Sequence, residues 1–116
     1  MQTVLVVDDH EGFRSFARAF LGREGFDVVG EAVDARSAVV EARRLQPDVV
    51  LLDIQLPDGD GFEVARRLAA DPRPPAIVLI STRDAADYGD RIASSGARGF
   101  IPKSRLSGAA VRELLP

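Results

Sequence analysis

The chain is predicted to adopt an α/β fold, a (βα)5 three-layer sandwich with a five-stranded parallel sheet. Three observations point there. Five short apolar or β-branched runs alternate with segments whose apolar residues recur at helical spacing. The central run, Val49 to Leu52, is apolar at four consecutive positions, as in a strand buried on both faces. Strands that alternate with helices pair in parallel, because right-handed crossovers lay the helices over the two faces of the sheet.

The elements follow in order. Thr3 to Val7 is a β-branched run that stops at Asp8-Asp9-His10. Phe13, Phe16, Ala17, Phe20 and Leu21 then fall on one helical face, which Gly25 closes. Phe26 to Ala32 reads as the second strand, and Asp34 is placed to cap the next helix. That helix puts Ala35, Ala38, Val39, Ala42 and Leu45 together and ends at Pro47. The third strand runs into Asp53 and the turn Pro57 to Gly61. Phe62, Ala65 and Ala69 mark a helix that ends before Pro72. Pro72 to Pro75 is a rigid connector to a buried strand, Ile77 to Ile80, which ends in Ser81-Thr82. A helix around Ala85 to Ser95 is expected, with Tyr88 and Ile92 on one face, Gly89 inside it and Gly96 as its stop. Gly99 to Ile101 is a short fifth strand, followed by Pro102 and Lys103. Leu106 to Leu115 makes the last helix, with Leu106, Ala110 and Leu114 facing inward.

Composition removes several function classes. A chain of 116 residues fits one domain, here residues 1–116, with no output domain in these residues. At 46% hydrophobic and 28% charged residues it is ordinary globular material, not a disordered chain. A net charge of −3 favours neither nucleic acid nor an anionic membrane. With no cysteine there is no disulfide framework, thiolate metal site or thiol nucleophile. No apolar run approaches a membrane span and no signal region opens the chain, so the expected compartment is the cytoplasm.

In a parallel sheet all strand carboxyl ends share one edge. Asp8-Asp9, Asp53, Ser81-Thr82 and Lys103 therefore meet there, although they are far apart in sequence. The second strand ends instead in Ala32-Val33, which suits an edge strand in the flavodoxin-like order 2-1-3-4-5. Three carboxylates brought together repel one another unless a cation joins them. Their hard oxygens select Mg²⁺, or Mn²⁺, which completes its shell with water and phosphate oxygens. Lys103, the only lysine of the chain, is a compact charge for one phosphate oxygen, and Ser81 or Thr82 supplies a hydroxyl. This is a set of groups for phosphoryl transfer, with Asp53 as the nucleophile.

The chain closely resembles the receiver domain of bacterial response regulators. The resemblance is carried by Val-Val-Asp-Asp at 6–9, Leu-Leu-Asp-Ile-Gln-Leu-Pro-Asp-Gly-Asp-Gly at 51–61, Ile-Ser-Thr at 80–82 and Gly-Ala-Arg-Gly-Phe-Ile-Pro-Lys-Ser at 96–104. It implies that Asp53 accepts a phosphoryl group from a phosphohistidine on a sensor histidine kinase or a phosphotransfer protein. It also implies that Asp8, Asp9, Asp53 and the backbone carbonyl of Gln55 hold Mg²⁺. Ser81 and Lys103 would contact the phosphoryl oxygens, and Phe100 would be the aromatic switch residue. The helix around Ala85 to Ser95 has a thin apolar face, is weakened by Gly89 and directly follows Ser81. The output surface is therefore expected to be this fourth helix with the fifth strand and fifth helix, where phosphorylation should change homodimerisation. Gln55 and Arg83, two residues beyond Asp53 and Ser81, are expected at the rim, where they govern the lifetime of the acyl phosphate. The family's usual proline after the lysine is replaced here by Ser104, with Pro102 before it. The Ile-Pro-Lys-Ser form resembles receivers that precede helix-turn-helix DNA-binding domains.

Plainer readings compete at single positions. His10 is expected to be a solvated neighbour of the acid pair, and an aromatic such as Phe100 near a sheet edge is commonly core. A flavin-binding protein of the same architecture needs a hydroxyl- and glycine-rich first loop, whereas Asp8-Asp9-His10-Glu11 repels phosphate without a metal. A phosphatase of the haloacid dehalogenase type needs an acid two residues beyond its nucleophile, where this chain has Gln55. A receiver-like dimerisation module that is never phosphorylated is the remaining alternative.

Overall fold

The computed structural model describes the whole chain, Met1 to Pro116. Seven strands and five helices occur in the order β1 (Thr3–Val7), α1 (Glu11–Arg23), β2 (Asp27–Ala32), α2 (Ala35–Leu45), β3 (Val49–Asp53), β4 (Gln55–Leu56), β5 (Gly59–Asp60), α3 (Gly61–Ala69), β6 (Ala76–Ser81), α4 (Arg91–Ser94), β7 (Gly99–Pro102) and α5 (Gly108–Glu113). Five of the strands form one parallel sheet in the order β2-β1-β3-β6-β7. Numbered among the long strands alone, this is the expected order 2-1-3-4-5. Every residue of β3 is buried, which is why its side chains carry no polar alternation. The sheet separates two cores. One lies under α2 and α3, around Leu52, Phe62 and Leu68; the other lies under α1 and α5, around Leu21, Leu51 and Val111.

Capping follows the sequence where a short polar side chain stands at a helix start. Asp34 accepts the backbone N–H of Ser37 at 2.8 Å, and Asp60 accepts that of Glu63 at 2.9 Å. Asp58 adds a cap from outside the helix, its carboxylate accepting Ala35 N–H at 2.7 Å and Arg36 N–H at 3.1 Å. The segment after Asp53 is thereby tied to α2. It is not an open turn: Gln55–Leu56 and Gly59–Asp60 pair antiparallel as a small hairpin.

Four expectations need correction. The helix expected around Ala85 to Ser95 is split into a 3₁₀ turn, Ala85–Asp87, and a four-residue α4. Gly89 lies between them at φ 56, a left-handed conformation that breaks the helix. The last helix is shorter than Leu106 to Leu115, because Ser107 caps it by accepting Ala110 N–H at 3.0 Å and leaves Leu106 extended outside. Phe26 is buried but precedes β2. Phe16 does not join the core face. It lies about 120° around the helix from the buried Ala17–Leu21 line, so it is half in water and stacks on Phe20 at 5.7 Å.

Candidate functional site

The carboxyl edge of the sheet gathers the charged residues at its centre. Asp8 directly follows β1 and is fully buried, Asp9 beside it is exposed, and Asp53 is the last residue of β3 with only 3% exposure. Lys103 directly follows β7. Its Nζ reaches across to Asp8 Oδ2 at 2.6 Å and to Asp53 Oδ2 at 3.3 Å, over the Phe13 ring at 4.5 Å. Backbone donors fix the other oxygens: His10 N–H donates to Asp8 Oδ1 at 2.8 Å, and Gln55 N–H donates to Asp53 Oδ1 at 3.1 Å. His10 Nδ1 is 3.1 Å from a carboxylate oxygen of both Asp8 and Asp9. From behind, Arg14 donates to the Asp8 carbonyl at 2.9 Å and pairs with Glu31 at 3.0 Å, pinning α1 against the strand end.

Glycine is required once in this frame. A Cβ on Gly61 would stand 2.5 Å from the Asp53 carbonyl oxygen, inside any real contact, so the returning hairpin can pass behind Asp53 only with hydrogen there. Gly61 N–H donates to Ile54 O at 2.7 Å and closes that loop.

The electrostatics differ from one carboxylate to the next. Burial is the largest influence on Asp53 and, with the Asp8 charge, pushes it up to about 6 against the opposing Gln55 N–H and Lys103. Burial also presses Asp8 upward, but Lys103, the His10 N–H and the His10 side chain outweigh it, and Asp8 ends below the ordinary carboxylate range. Lys103 is depressed by burial yet raised further by Asp8 and Asp53, so its ammonium is secure. The site thus holds one firm carboxylate, one firm ammonium and one carboxylate whose charge is costly.

The donor set fits a hard divalent cation. Asp8, Asp9, His10 and Asp53 each present a ligand atom within 4.8 Å of the others. Asp8 Oδ2 is buried and touches Lys103 Nζ outside the angles of a directed hydrogen bond, so its lone pairs lack a directed partner. Three of the four donors are carboxylates and none is a thiolate, a chemistry that suits Mg²⁺ or Mn²⁺.

Comparison with known proteins shows the family of the chain. Residues 4–112 match the family model of the response regulator receiver domain. The chain belongs to that family. It is 33% identical over 116 residues to the response regulator GacA of Pseudomonas viridiflava, covering 99% of this chain and 52% of that protein. It is 41% identical over 114 residues to a protein-glutamate methylesterase/protein-glutamine glutaminase of Anaeromyxobacter dehalogenans, covering 97% of this chain and 32% of that one. Its fold superposes on the receiver domain of the response regulator NarL from Mycobacterium tuberculosis with a TM-score of 0.85 at 32% identity, covering 97% and 95% of the two chains. The chain spans about half the length of several curated regulators it matches.

The other expected receiver residues are placed as follows. Ser81 ends β6 and is fully buried while Thr82 is exposed, so the inward hydroxyl is that of Ser81. Its Oγ accepts Arg83 N–H at 3.1 Å and bonds the Tyr88 hydroxyl at 2.7 Å, with no bond to Asp53 or Lys103. Phe100, on β7, is half-buried and meets Tyr88 edge-on with centroids 5.9 Å apart. The side chains of Gln55 and Arg83 are exposed near Asp53 and Ser81 in sequence. Ser104 lies in a 3₁₀ turn, Lys103–Arg105, after Pro102. Helical periodicity marked Phe13 and Tyr88 only as apolar positions. Phe13 in fact supports Lys103, and Tyr88 connects Ser81 to Phe100. That Tyr88 is the chain's single tyrosine was the available hint.

Proposed function

We propose that the chain is a phosphorylation-dependent receiver in which Asp53 takes a phosphoryl group from a phosphohistidine of a sensor histidine kinase or phosphotransfer protein. The observation that carries this reading is the buried Asp53 carboxylate at the sheet edge, 3.3 Å from Lys103 and within 4.8 Å of the ligand atoms of Asp8, Asp9 and His10. Asp8, Asp9, Asp53 and the Gln55 carbonyl would hold Mg²⁺, or Mn²⁺, which when bound neutralises the charge of an incoming phosphoryl dianion.

The chain's own residues do the rest. With its proton held only up to about pH 6, Asp53 is mainly ionised at neutral pH and serves as the nucleophile. Its carboxylate oxygen bonds phosphorus as the P–N bond of the phosphoimidazole breaks, and the departing imidazole keeps the electron pair. Lys103 balances charge on one phosphoryl oxygen, and the Ser81 hydroxyl donates to another. In self-dephosphorylation, water attacks phosphorus, the bond to Asp53 breaks, and inorganic phosphate leaves with the carboxylate restored. Gln55 and Arg83 at the rim govern access of that water. The signal leaves through α4, β7 and α5, with Phe100 moving inward, and alters homodimerisation of a cytoplasmic regulator.

Incubation with a small acyl phosphate and Mg²⁺, followed by intact-mass measurement, tests the assignment. Wild type should gain one phosphoryl group, and Asp53→Asn or excess chelator should prevent it. Equal labelling of Asp53→Asn would overturn the acceptor. No labelling of folded wild type would favour the unphosphorylated dimerisation module.

A further inference from the structure

Ser81 is already engaged. A serine hydroxyl has one proton and two acceptor directions. Arg83 N–H occupies one direction at 3.1 Å, and the Tyr88 hydroxyl bonds the same oxygen at 2.7 Å. Both partners belong to the segment after β6, so they hold the oxygen toward that segment. The Tyr88 ring is held in turn between Phe62 at 5.5 Å and Phe100 at 5.9 Å, both edge-on. Tyr88 therefore touches both the Ser81 hydroxyl and the Phe100 ring.

Tyr88 stands where the chain can move. It ends the 3₁₀ turn Ala85–Asp87 and precedes Gly89, whose φ is 56 and whose missing Cβ would meet nothing within 4 Å. Neither that turn nor the following α4 contains a buried residue. Apart from the two aromatic contacts of the ring, few buried contacts oppose a rearrangement of the segment that carries Tyr88.

We propose that Tyr88 is a positioning residue that latches the Ser81 hydroxyl in the unphosphorylated receiver. Phosphorylation must break this bond before Phe100 can turn inward. The proposal rests on the reading of Asp53 as the acceptor. A bond made only in the resting state shifts the population away from the phosphorylated arrangement and slows its formation. Removing the tyrosine hydroxyl while keeping the ring should release Ser81 without disturbing the aromatic contacts.

The test uses the full chain with Mg²⁺ and a small acyl phosphate, comparing wild type, Tyr88→Phe, Ser81→Ala and the double variant. Tyr88→Phe should label about three- to tenfold faster than wild type, the range one neutral hydrogen bond supports. In the Ser81→Ala background the same substitution should have no effect, because the latch then has nothing to hold. Unchanged or slower labelling of Tyr88→Phe would overturn the latch, slower labelling meaning that Tyr88 supports Ser81 as a donor. Equal acceleration in both backgrounds would also overturn it, by showing an effect that bypasses Ser81. Loss of labelling in wild type, by contrast, would remove the acceptor reading and the latch with it.

A second readout is independent of rate. The chain has no tryptophan and Tyr88 is its only tyrosine, so intrinsic emission reports on this ring alone. Ser81→Ala without phosphodonor should change the emission in the same direction as phosphorylation does in wild type. Identical emission from resting wild type and resting Ser81→Ala would show that the bond does not exist in solution.

Discussion

The two ends of the acidic edge are built differently. Asp8 and Asp53 stand at the ends of β1 and β3, and Phe62, Val64, Ala65 and Leu68 of the neighbouring α3 are buried. Between Ser81 and Ile101, by contrast, Ser95 is the only buried residue, and the helical pieces are a 3₁₀ turn and a single turn of α-helix. The close-packed side cannot shift a side chain without opening a void. The loosely packed side can rearrange while losing little buried surface. The function proposed for this receiver calls for both properties. Positioning a phosphoryl group calls for the first, and a change of surface on phosphorylation calls for the second.

The contrast can be broken most directly by cutting side chains on either side of it. Phe62 is fully buried in α3, whereas Ile92 of α4 is half-buried against the same core. Phe62→Ala should lose about 3–5 kcal/mol of unfolding free energy, and Ile92→Ala about 1 kcal/mol. Urea titrations with unchanged m-values measure both. Comparable losses would mean that α4 is as firmly packed as α3.

The charge on the rigid side should itself be destabilising. Asp53 is raised from 3.8 to about 6, so between those values the folded chain holds a proton that the unfolded chain has released. Stability contributed by Asp53 therefore falls as pH rises through this window. Asp8 is shifted downward, so its contribution is present above 3.8 and lost only at more acidic pH. Lys103 is shifted upward, so its contribution is present below 10.5 and lost only at more alkaline pH. The window between belongs to Asp53. In metal-free protein, Asp53→Asn should be more stable than wild type at pH 7.5 by about 2 kcal/mol, and the advantage should vanish toward pH 4. Thermal melts across that range, with chelator present, decide it. An advantage independent of pH would point to packing rather than charge.

What the sequence revealed follows the same division. A parallel sheet brings strand carboxyl ends to one edge whatever the loops do. The meeting of Asp8, Asp53, a hydroxyl at 81 or 82 and Lys103 was therefore legible from strand order, and the Asp34 cap from its place before a helical pattern. The choice between Ser81 and Thr82 was not, because both could end the strand and only the pleat decides which faces inward. Gly61 reads as a turn residue, and its necessity comes from the Asp53 carbonyl passing behind it. The Ser81–Tyr88 bond joins residues seven apart in a segment whose helix breaks at Gly89, so helical periodicity could not reveal it. Sequence patterns report what buried surface enforces, and they lose force where little surface is buried.

The smallest expected effect sharpens the comparison most. If the loosely packed side is the bistable element, a non-hydrolysable mimic of the aspartyl phosphate should change amide exchange mainly there. The backbone between β6 and β7 has few sheltered bonds: Arg91 N–H donates to Tyr88 O at 3.2 Å in an exposed turn, and the bond of the buried Ser95 N–H to Ile92 O is long at 3.3 Å. On the rigid side, α2 is closed by a capping box and anchored by Asp58, so the mimic has little to change. Protection in residues 82–106 should shift by about tenfold or less, equivalent to at most about 1.4 kcal/mol, and exceed any change in residues 11–46. Exchange measured by mass spectrometry with and without the mimic reads both regions in one sample. A change confined to the helix carrying Phe13 and Phe20 would instead place the response behind Lys103, through the Phe13 ring that lies 4.5 Å from its Nζ.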